Sequence, residues 1–369
     1  MTVASQRRAA LGRRRFRRIL LIKPSSLGDL VHALPVLHGL RARYPGARID
    51  WLAATSFAPL VEGHPEVAEV VRFDRRRFGR MLREPRVGLE FAGFLAELHR
   101  RRYDLVVDLQ GLFRSGVLAL ATGAPVRIGF GNAREAAWLF YTHPLRPPAG
   151  QEHAVERNYA VAGLLGFDEM PPRFDLAVRP AERSRAATLL AEVEVSPAES
   201  FAAILPGARW ETKRWPTARF AAVVDALAER GLRSVLLAGP DEAGLCRAVA
   251  ERCRTAPADL AGRTGLRELI AVLERASVVL CHDSAPMHLA AALNRPLVAI
   301  LGPTNPRRTG PYGPRATVLQ ADLPCAPCYL RRLSQCRHRH LCMQAVTVEE
   351  VLAAVERAAD CVKTRCPVG

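Results

Sequence analysis

Residues 277–303 combine residue types that suit anion binding at the edge of a sheet. Two apolar runs of strand type enclose a short segment rich in alanine and leucine, which predicts strand, helix and strand. Asp283 and Ser284 come where the first strand ends, and both residue types favour a helix start. Closely joined strands of this kind pair in parallel, so the turn is expected at the carboxyl edge of the sheet. The free N–H groups of the helix start would bind a phosphate there, with His288 close by; the alternative is a capped helix without a ligand.

Two more loops in the same half of the chain supply groups for a nucleotide. Residues 206–213 follow an apolar strand and contain Gly207 and a lysine, and residues 239–242 follow the next strand and end in Glu242. Because loops at the carboxyl ends of parallel strands meet at one edge, the three loops are expected to converge on one ligand. Backbone amides beside Gly207 and the Lys213 ammonium would neutralise a diphosphate, and Glu242 would accept the ribose hydroxyls.

The sequence contains neither of the usual glycine-rich nucleotide signatures. No G-x-G-x-x-G follows a strand, and no G-x-x-x-x-G-K-[ST] is present. A dehydrogenase or a P-loop enzyme is therefore disfavoured, and the predicted nucleotide site is of another kind.

Asp29 is the candidate general base in the first half of the chain. It follows Gly28 in a loop of small and polar residues that comes directly after an apolar strand. Ser25, Ser26 and Gly28 let a ligand approach the backbone closely. An aspartate at such a turn caps a helix more often than it accepts a substrate proton, so both roles stay open on these residues alone.

The formal net charge of +17 indicates an acidic partner, which includes nucleic acid, an anionic membrane surface or a phosphorylated substrate. A compositional bias is the alternative, because only three of the 53 basic residues are lysines. In a chain whose default cation is arginine, Lys23 and Lys213 mark places where a compact point charge is needed.

The chain has 369 residues, enough for two domains, and strands and helices alternate through most of it. This pattern predicts an α/β protein of two Rossmann-like, doubly wound domains facing a central cleft. Among its elements it predicts a helix over about 57–62 and another over about 89–101. We place the first domain at 1–175, a linker at 176–199, and the second domain at 200–369, which ends in a cysteine-rich loop and a helix.

Compartment and membrane contact follow from hydropathy and cysteine use. No apolar run reaches the roughly 18 residues that a membrane-spanning helix needs, and the apolar stretch after the basic N-terminus is too short for a signal peptide. Nine cysteines scattered through a long chain fit a reducing compartment. We therefore expect a cytoplasmic protein.

Several motifs, in order along nearly the whole chain, resemble glycosyltransferase family 9, the ADP-heptose:lipopolysaccharide heptosyltransferases. They are KPSSLGDLVHALP (23–35), DLQG (108–111), QEHAVER (151–157), LPGARWETKRWP (205–216), LAGRTGLREL (260–269), HDSAPMHLAAAL (282–293) and GPTNP (302–306). QEHAVER is similar to the heptosyltransferase I branch, and the cysteine- and proline-rich C-terminal stretch is similar to the heptosyltransferase II branch. The acceptor, Kdo-bearing lipid A or its first heptose, therefore stays open.

The resemblance implies a GT-B fold and an inverting transfer of heptose from ADP-heptose, without a metal or another cofactor. It makes Asp29 the base and Lys213 the phosphate-binding residue. The other donor-binding positions that it implies are Gly207, Thr212, Glu242, Thr264, Asp283, Ser284, Ala285 and His288. The first domain would bind an acidic, lipid-linked acceptor at the cytoplasmic face of the inner membrane, with peripheral contact to the membrane, through Ser25, Ser26, Arg75, Arg76, Arg80 and Arg134.

Two questions stay open on the sequence. Cys325, Cys328, Cys336 and Cys342 have the ligand type of a structural zinc site, and a loop of reduced thiols is the alternative. The competing functions are a family member with another nucleotide sugar or acceptor, a nucleotide-sugar epimerase of the same fold, and a basic nucleic-acid-binding protein. The last is disfavoured, because the arginines are spread along the chain and no aromatic-interleaved basic platform is present.

Overall fold

The structure is a computed structural model that describes residues 11–150 and 152–363, the last four of these without their side chains. The chain divides into two compact units, Met1–Ala177 and Val178–Gly369. Each unit contains one six-stranded sheet in which every neighbouring pair of strands is parallel. The predicted fold class, two doubly wound parallel α/β domains, is confirmed in this respect.

The sheet of the first unit has the strand order β3-β2-β1-β4-β5-β6. Its strands are β1 (Arg18–Ile22), β2 (Arg48–Ala54), β3 (Glu69–Phe73), β4 (Leu105–Asp108), β5 (Val126–Phe130) and β6 (His143–Leu145). Its helices are α1 (Leu27–Val31), α2 (Leu34–Arg43), α3 (Arg75–Phe78), α4 (Pro85–Arg100), α5 (Phe113–Ala121), α6 (Ala154–Tyr159) and α7 (Ala162–Leu165), with short 3-10 helices at Ala58–Leu60 and Ala137–Phe140.

The sheet of the second unit has the order β12-β11-β10-β7-β8-β9, which is the same order as in the first unit when strands are counted within each unit. Its strands are β7 (Phe201–Leu205), β8 (Arg233–Leu236), β9 (Ala258–Asp259), β10 (Val278–His282), β11 (Leu297–Ile300) and β12 (Ala316–Leu319). Its helices are α8 (Pro180–Ala191), α9 (Thr217–Glu229), α10 (Ala243–Ala250), α11 (Leu266–Arg275), α12 (Ala285–Ala292), α13 (Pro306–Thr309), α14 (Leu341–Gln344) and α15 (Val348–Lys363), with 3-10 helices at Glu211–Lys213, Pro240–Glu242 and Leu333–Gln335.

The central strands are apolar along their whole length because helices cover both faces of a doubly wound sheet. Every residue of β4, β7, β10 and β11 is buried. In the second unit these strands pack with Trp215, Phe220 and Met343, which belong to the same core cluster. The continuous apolar runs are what made these strands predictable.

Two local predictions were wrong. The helix predicted for about 57–62 is only the 3-10 turn Ala58–Leu60, and Gly63 follows with a φ of 72°, which ends helical geometry. The helix predicted from Leu89 begins instead at Pro85, a residue whose fixed φ suits the first helical position.

The segment predicted as a linker, residues 176–199, contains helix α8, which packs on α11 of the second unit. Glu182 on α8 is buried and forms an ion pair with Arg267 on α11, with an Nη2–Oε2 distance of 2.7 Å. Arg179 also donates to Glu182, from its side chain and from its backbone N–H. Burial opposes ionisation of Glu182, but these donors outweigh it and lower its pKa to about 2.

Glu182→Gln should lower the free energy of unfolding by about 3 kcal/mol at pH 7, because the ionised carboxylate is stabilised only in the folded state. Because the pKa of Glu182 is lower in the folded state, its ionised carboxylate stabilises the fold fully above about pH 4.5. This contribution to the free energy of unfolding is lost as the pH falls toward 2. The difference between wild type and variant in urea unfolding should therefore shrink to less than half by pH 3. Glu192→Gln is the control, since Glu192 pairs with Arg263 at the surface and should matter by less than about 1 kcal/mol. Equal effects of the two variants would contradict the assignment.

Candidate functional site

An ion pair joins the loops that follow β7 and β10 in the second unit. The Nζ of Lys213 lies 2.7 Å from Oδ2 of Asp283 and also donates to the Asp283 carbonyl at 3.2 Å. Both side chains are largely buried, with exposed fractions of 14% and 6%. The strand order of the sheet reverses between β7 and β10, so the pair occupies the position where doubly wound sheets bind ligands.

Asp283 was predicted both to start helix α12 and to bind the donor. It does not cap this helix. Its carboxylate accepts from Lys213 and from the Thr304 hydroxyl, whose Oγ1 lies 2.6 Å from Oδ2. Ser284 occupies the N-cap position, but its hydroxyl donates to the His282 carbonyl and not to the helix. The N-cap side chain therefore does not cap the amides of the first turn of α12, which begins at Ala285.

The loop after β8 lies against the loop after β7, as predicted. A Cβ atom at Gly207 would overlap the carboxylate of Glu242, so only glycine allows this approach. Burial raises the pKa of Glu242, and the positive charge of Arg214 opposes the rise. Thr264 lies in the turn between β9 and α11. Gly262 in the same turn lies next to the Pro240 backbone, which belongs to the loop after β8. His288 is buried on α12. The structure thus brings the three predicted loops together.

His282 is a site residue that sequence reasoning missed. Its Nε2 accepts a hydrogen bond from the Trp215 N–H at 2.8 Å, and its Nδ1–H donates to the Gly207 carbonyl at 3.4 Å. The ring is fully buried, which lowers its pKa to about 4, so it is neutral at pH 7. It thereby holds both ends of the loop that carries Lys213. The only local signal is its place at the end of a buried strand, next to Asp283.

The cysteine-rich stretch packs against the same loop. His340 donates from Nε2 to the Thr212 carbonyl at 2.8 Å, and the Thr212 hydroxyl donates to the Leu330 carbonyl at 2.5 Å. The Trp210 ring lies near two cations, with Nζ of Lys213 at 4.4 Å and the Arg331 guanidinium at 5.0 Å from its centroid. Thr212 therefore positions the loop through its backbone and its side chain.

The four cysteines proposed as zinc ligands line one cavity of about 260 Å³. Among the residues that the structure describes, no three or more histidine, cysteine, aspartate or glutamate side chains are arranged to hold a metal ion. The thiols of Cys325, Cys328, Cys336 and Cys342 are free.

In the first unit, Asp29 lies in the third position of helix α1 and holds its start. Its Oδ2 accepts from the backbone N–H and the hydroxyl of Ser26, both at 2.8 Å. Its Oδ1 lies 3.8 Å from Nζ of Lys23, and the Asp29 side chain is 41% exposed. One oxygen thus has a structural role, while the other faces the Lys23 ammonium in a partly exposed side chain. Ser25 is half-buried in the same loop.

Lys23 connects the loops after β1 and β4, where the order of the first sheet reverses. Its ammonium is buried and donates to the Leu109 carbonyl at 2.8 Å. The loop after β4 is held by Asp108, which accepts from the N–H groups of Gln110 and Gly111 and from the Tyr141 hydroxyl. Burial raises the pKa of Asp108, and these donors oppose the rise. The DLQG motif thus fixes the position of the Leu109 carbonyl, which accepts the hydrogen bond from Lys23.

The predicted arginine positions are exposed and lie in segments that follow strands of the first sheet. Arg75 and Arg76 belong to α3, Arg80 pairs with Glu84 at 3.0 Å, and Arg134 follows β5.

In the motif 151–157, Gln151 lies outside the described residues. The His153 side chain accepts a hydrogen bond from the Val155 N–H at the start of α6. No helix in the described ranges is long and apolar enough to cross a membrane.

Two tandem parallel α/β units, each with a charged site at its strand-order reversal, define a glycosyltransferase-type GT-B architecture. The chain matches the family model for glycosyltransferase family 9 (heptosyltransferase) over residues 92–338, and it belongs to that family. It is 33% identical to lipopolysaccharide heptosyltransferase 1 of Pseudomonas aeruginosa over 318 residues, 84% of this chain and 86% of that protein.

Two solved structures agree with this assignment. The E. coli ADP-heptose lipopolysaccharide heptosyltransferase II superposes with a TM-score of 0.75 and 26% identity, covering 94% of this chain and 99% of that one. The E. coli heptosyltransferase WaaC with ADP superposes with a TM-score of 0.74 and 28% identity, covering 93% and 100%. The predicted GT-B fold and family are confirmed, and the family favours an enzyme over a nucleic-acid-binding protein.

His282→Gln should flatten the pH dependence of stability between about pH 6.5 and 4. The pKa of His282 is about 4 in the folded state and 6.5 in the unfolded state, so the neutral ring stabilises the fold fully above pH 6.5. As the pH falls toward 4, this contribution to the free energy of unfolding is lost, by about 3 kcal/mol in total. Glutamine can still accept from the Trp215 N–H but does not titrate. Urea unfolding of both proteins at pH 7, 6 and 5 measures the effect, because all other titrating groups cancel in the difference. Parallel curves would refute the role given to His282.

Proposed function

We propose that the protein transfers heptose from ADP-heptose to the inner core of lipopolysaccharide, with Kdo-bearing lipid A or its first heptose as the acceptor. The observation that carries the proposal is the Lys213–Asp283 pair beside the uncapped start of α12. The names of the heptosyltransferase relatives support the donor and the acceptor class. In this proposal the second domain binds the donor and the first domain binds the acceptor.

The donor site has the groups that a nucleoside diphosphate needs. An ammonium group has three N–H donors, and Lys213 uses two of them on Asp283, which leaves one for a phosphate oxygen. The amides at the start of α12 and beside Gly207 supply further donors in a partly buried site. Glu242 and Thr264 would contact the ribose side of the nucleotide, and Thr212 keeps the loop in place.

The reaction follows from this arrangement. Asp29 accepts the proton of an acceptor hydroxyl through Oδ1, while the hydroxyl oxygen attacks the anomeric carbon of the heptose. The bond from that carbon to the phosphate oxygen breaks on the opposite face, so the configuration inverts and ADP leaves with the electron pair. Lys213 and the first-turn amides of α12 stabilise the charge that develops on ADP. These groups supply the positive charge, and the proposed mechanism uses no metal ion.

The acceptor is acidic and linked to lipid, and the proposal assigns its binding to the first domain. Arg75, Arg76, Arg80 and Arg134 are exposed cations that would contact its phosphates and Kdo carboxylates. Ser25 and Ser26 lie beside Asp29 and would contact the reacting sugar. The protein would act in the cytoplasm, in peripheral contact with the inner membrane that carries the acceptor.

ADP release from ADP-heptose tests the proposal, with Kdo-bearing lipid A and with its monoheptosylated form as acceptors. Asp29→Asn should lower turnover by about 10²-fold or more, because the amide cannot accept the proton but can still accept both Ser26 hydrogen bonds. Lys213→Gln should lower turnover by about 10²-fold or more, because the leaving diphosphate loses its cation.

Glu62→Gln is the matched control for the Asp29 variant, since Glu62 is a carboxylate of the same unit that pairs with Arg72. Its turnover should stay within twofold of wild type. Urea midpoints of all variants separate a chemical defect from a folding defect. Release of ADP without an acceptor, or full activity of Asp29→Asn, would refute the mechanism. Turnover of another nucleotide sugar in place of ADP-heptose would refute the donor.

A further inference from the structure

Six large apolar side chains of the first unit are exposed within the residues that the structure describes. Leu82 is 92% exposed and Leu89 75%, far beyond the partial exposure common for leucine at a surface. The full set, which we call the apolar face, is Leu82, Leu89, Phe113, Leu120, Trp138 and Leu139. Single exposed apolar residues need no explanation, but a clustered set marks an interaction surface.

The elements that carry the six residues lie on one side of the first sheet. They belong to the connections after β3, β4 and β5, and these connections all step across the sheet in the same direction. Right-handed crossovers in one direction place their helices on the same face of a parallel sheet. The contacts agree, because α4 packs against α5, and α5 packs against the 3-10 helix Ala137–Phe140.

Helix α4 shows the same feature along its length. Its inner side is apolar, since Phe91, Phe94 and Leu98 pack into the core of the first unit. Its outer side carries the exposed residues Leu89, Ala92, Gly93 and Ala96, with the exposed arginines Arg86 and Arg100 beside them. An outer side that combines apolar and cationic side chains is typical of a helix that lies in a membrane interface.

The neighbouring charges define the chemistry of this partner. Arg77 is paired with Glu90 and Arg80 with Glu84. In contrast, four exposed arginines around Leu82 form no ion pair within the described part of the chain: Arg75, Arg76, Arg83 and Arg86. Exposed leucines and a tryptophan beside unpaired cations match the interface of an anionic lipid bilayer, which offers an apolar layer beneath a layer of phosphates.

We propose that the apolar face docks the protein on an anionic lipid bilayer, with Leu82, Leu89, Trp138 and Leu139 entering the interfacial layer and the arginines contacting lipid phosphates. This inference rests on the proposed function in one respect, because a lipid-linked acceptor requires an enzyme that works at a membrane surface. The arginines of α3 then lie next to the docked surface, so an acceptor sugar can reach them while its lipid stays in the bilayer.

Co-sedimentation with vesicles tests the docking without any sugar substrate. Wild type should bind vesicles of phosphatidylglycerol and phosphatidylcholine, bind pure phosphatidylcholine far less, and lose affinity as salt rises. Leu82→Ser combined with Leu89→Ser should weaken binding about tenfold or more, because two apolar side chains no longer enter the interface. Leu333→Ser combined with Leu341→Ser is the matched control in the second unit and should bind like wild type.

Trp138 provides a second readout, since its ring is exposed, while Trp51 and Trp215 are buried and Trp210 is half-buried in the second unit. Its emission should shift to the blue with anionic vesicles, and Trp138→Phe should abolish that shift. Equal vesicle binding by wild type and the Leu82/Leu89 variant would overturn the proposal. A dimer in sedimentation velocity that dissociates in this variant would also overturn it, in favour of a second copy of the chain.

The docking and the proposed function can fail separately. The Leu82/Leu89 variant should keep wild-type turnover with a delipidated core oligosaccharide and lose activity only with acceptor in vesicles. Vesicle binding by a protein that transfers no heptose would refute the proposed function and leave the docking surface standing.

Discussion

The reversal of strand order in each parallel sheet is the constraint on which both candidate sites depend. Parallel strands direct all their carboxyl ends to one edge, and the reversal leaves a crevice between two neighbouring strands there. In both units the crevice is spanned by a lysine: Lys23 reaches the Leu109 carbonyl after β4, and Lys213 reaches Asp283 after β10. Both domains therefore place a lysine in this crevice, in a chain whose other basic residues are arginines with one exception, Lys363.

Lysine suits this position for a geometric reason. A single ammonium group on a flexible stem donates in three directions, whereas the planar guanidinium group of arginine needs a wider, flat partner. Lys213 uses this freedom to bind a carboxylate and a carbonyl of one residue, and the Thr304 hydroxyl donates to the same carboxylate oxygen. The Asp283 carboxylate is thereby fixed by two loops before any ligand arrives, which is the preorganisation that an electrostatic site requires.

The sequence predicted the sheets well because strands covered on both faces are continuous apolar runs, and it predicted the loop residues because polar groups follow those runs directly. It did not reveal the tie between Lys23 and Leu109 or the hold of His282 on Gly207, since these contacts join residues 86 and 75 positions apart. Helix α8 was missed for a related reason: it has little apolar character of its own and is fixed by an ion pair with a distant helix. Local patterns carry no record of such partners.

The loop that carries Lys213 is completed by residues from the far end of the chain. The Thr212 side chain and backbone bind Leu330 and His340, and the Trp215 indole donates to the Val346 carbonyl, contacts that span 118 to 131 positions. Synthesis on the ribosome releases residues in order, so a nascent chain that stops before Leu330 has the strands of the second sheet but lacks the residues that hold the Lys213 loop. The order of the β-strands is thus complete well before the loop at their carboxyl edge can take its final conformation.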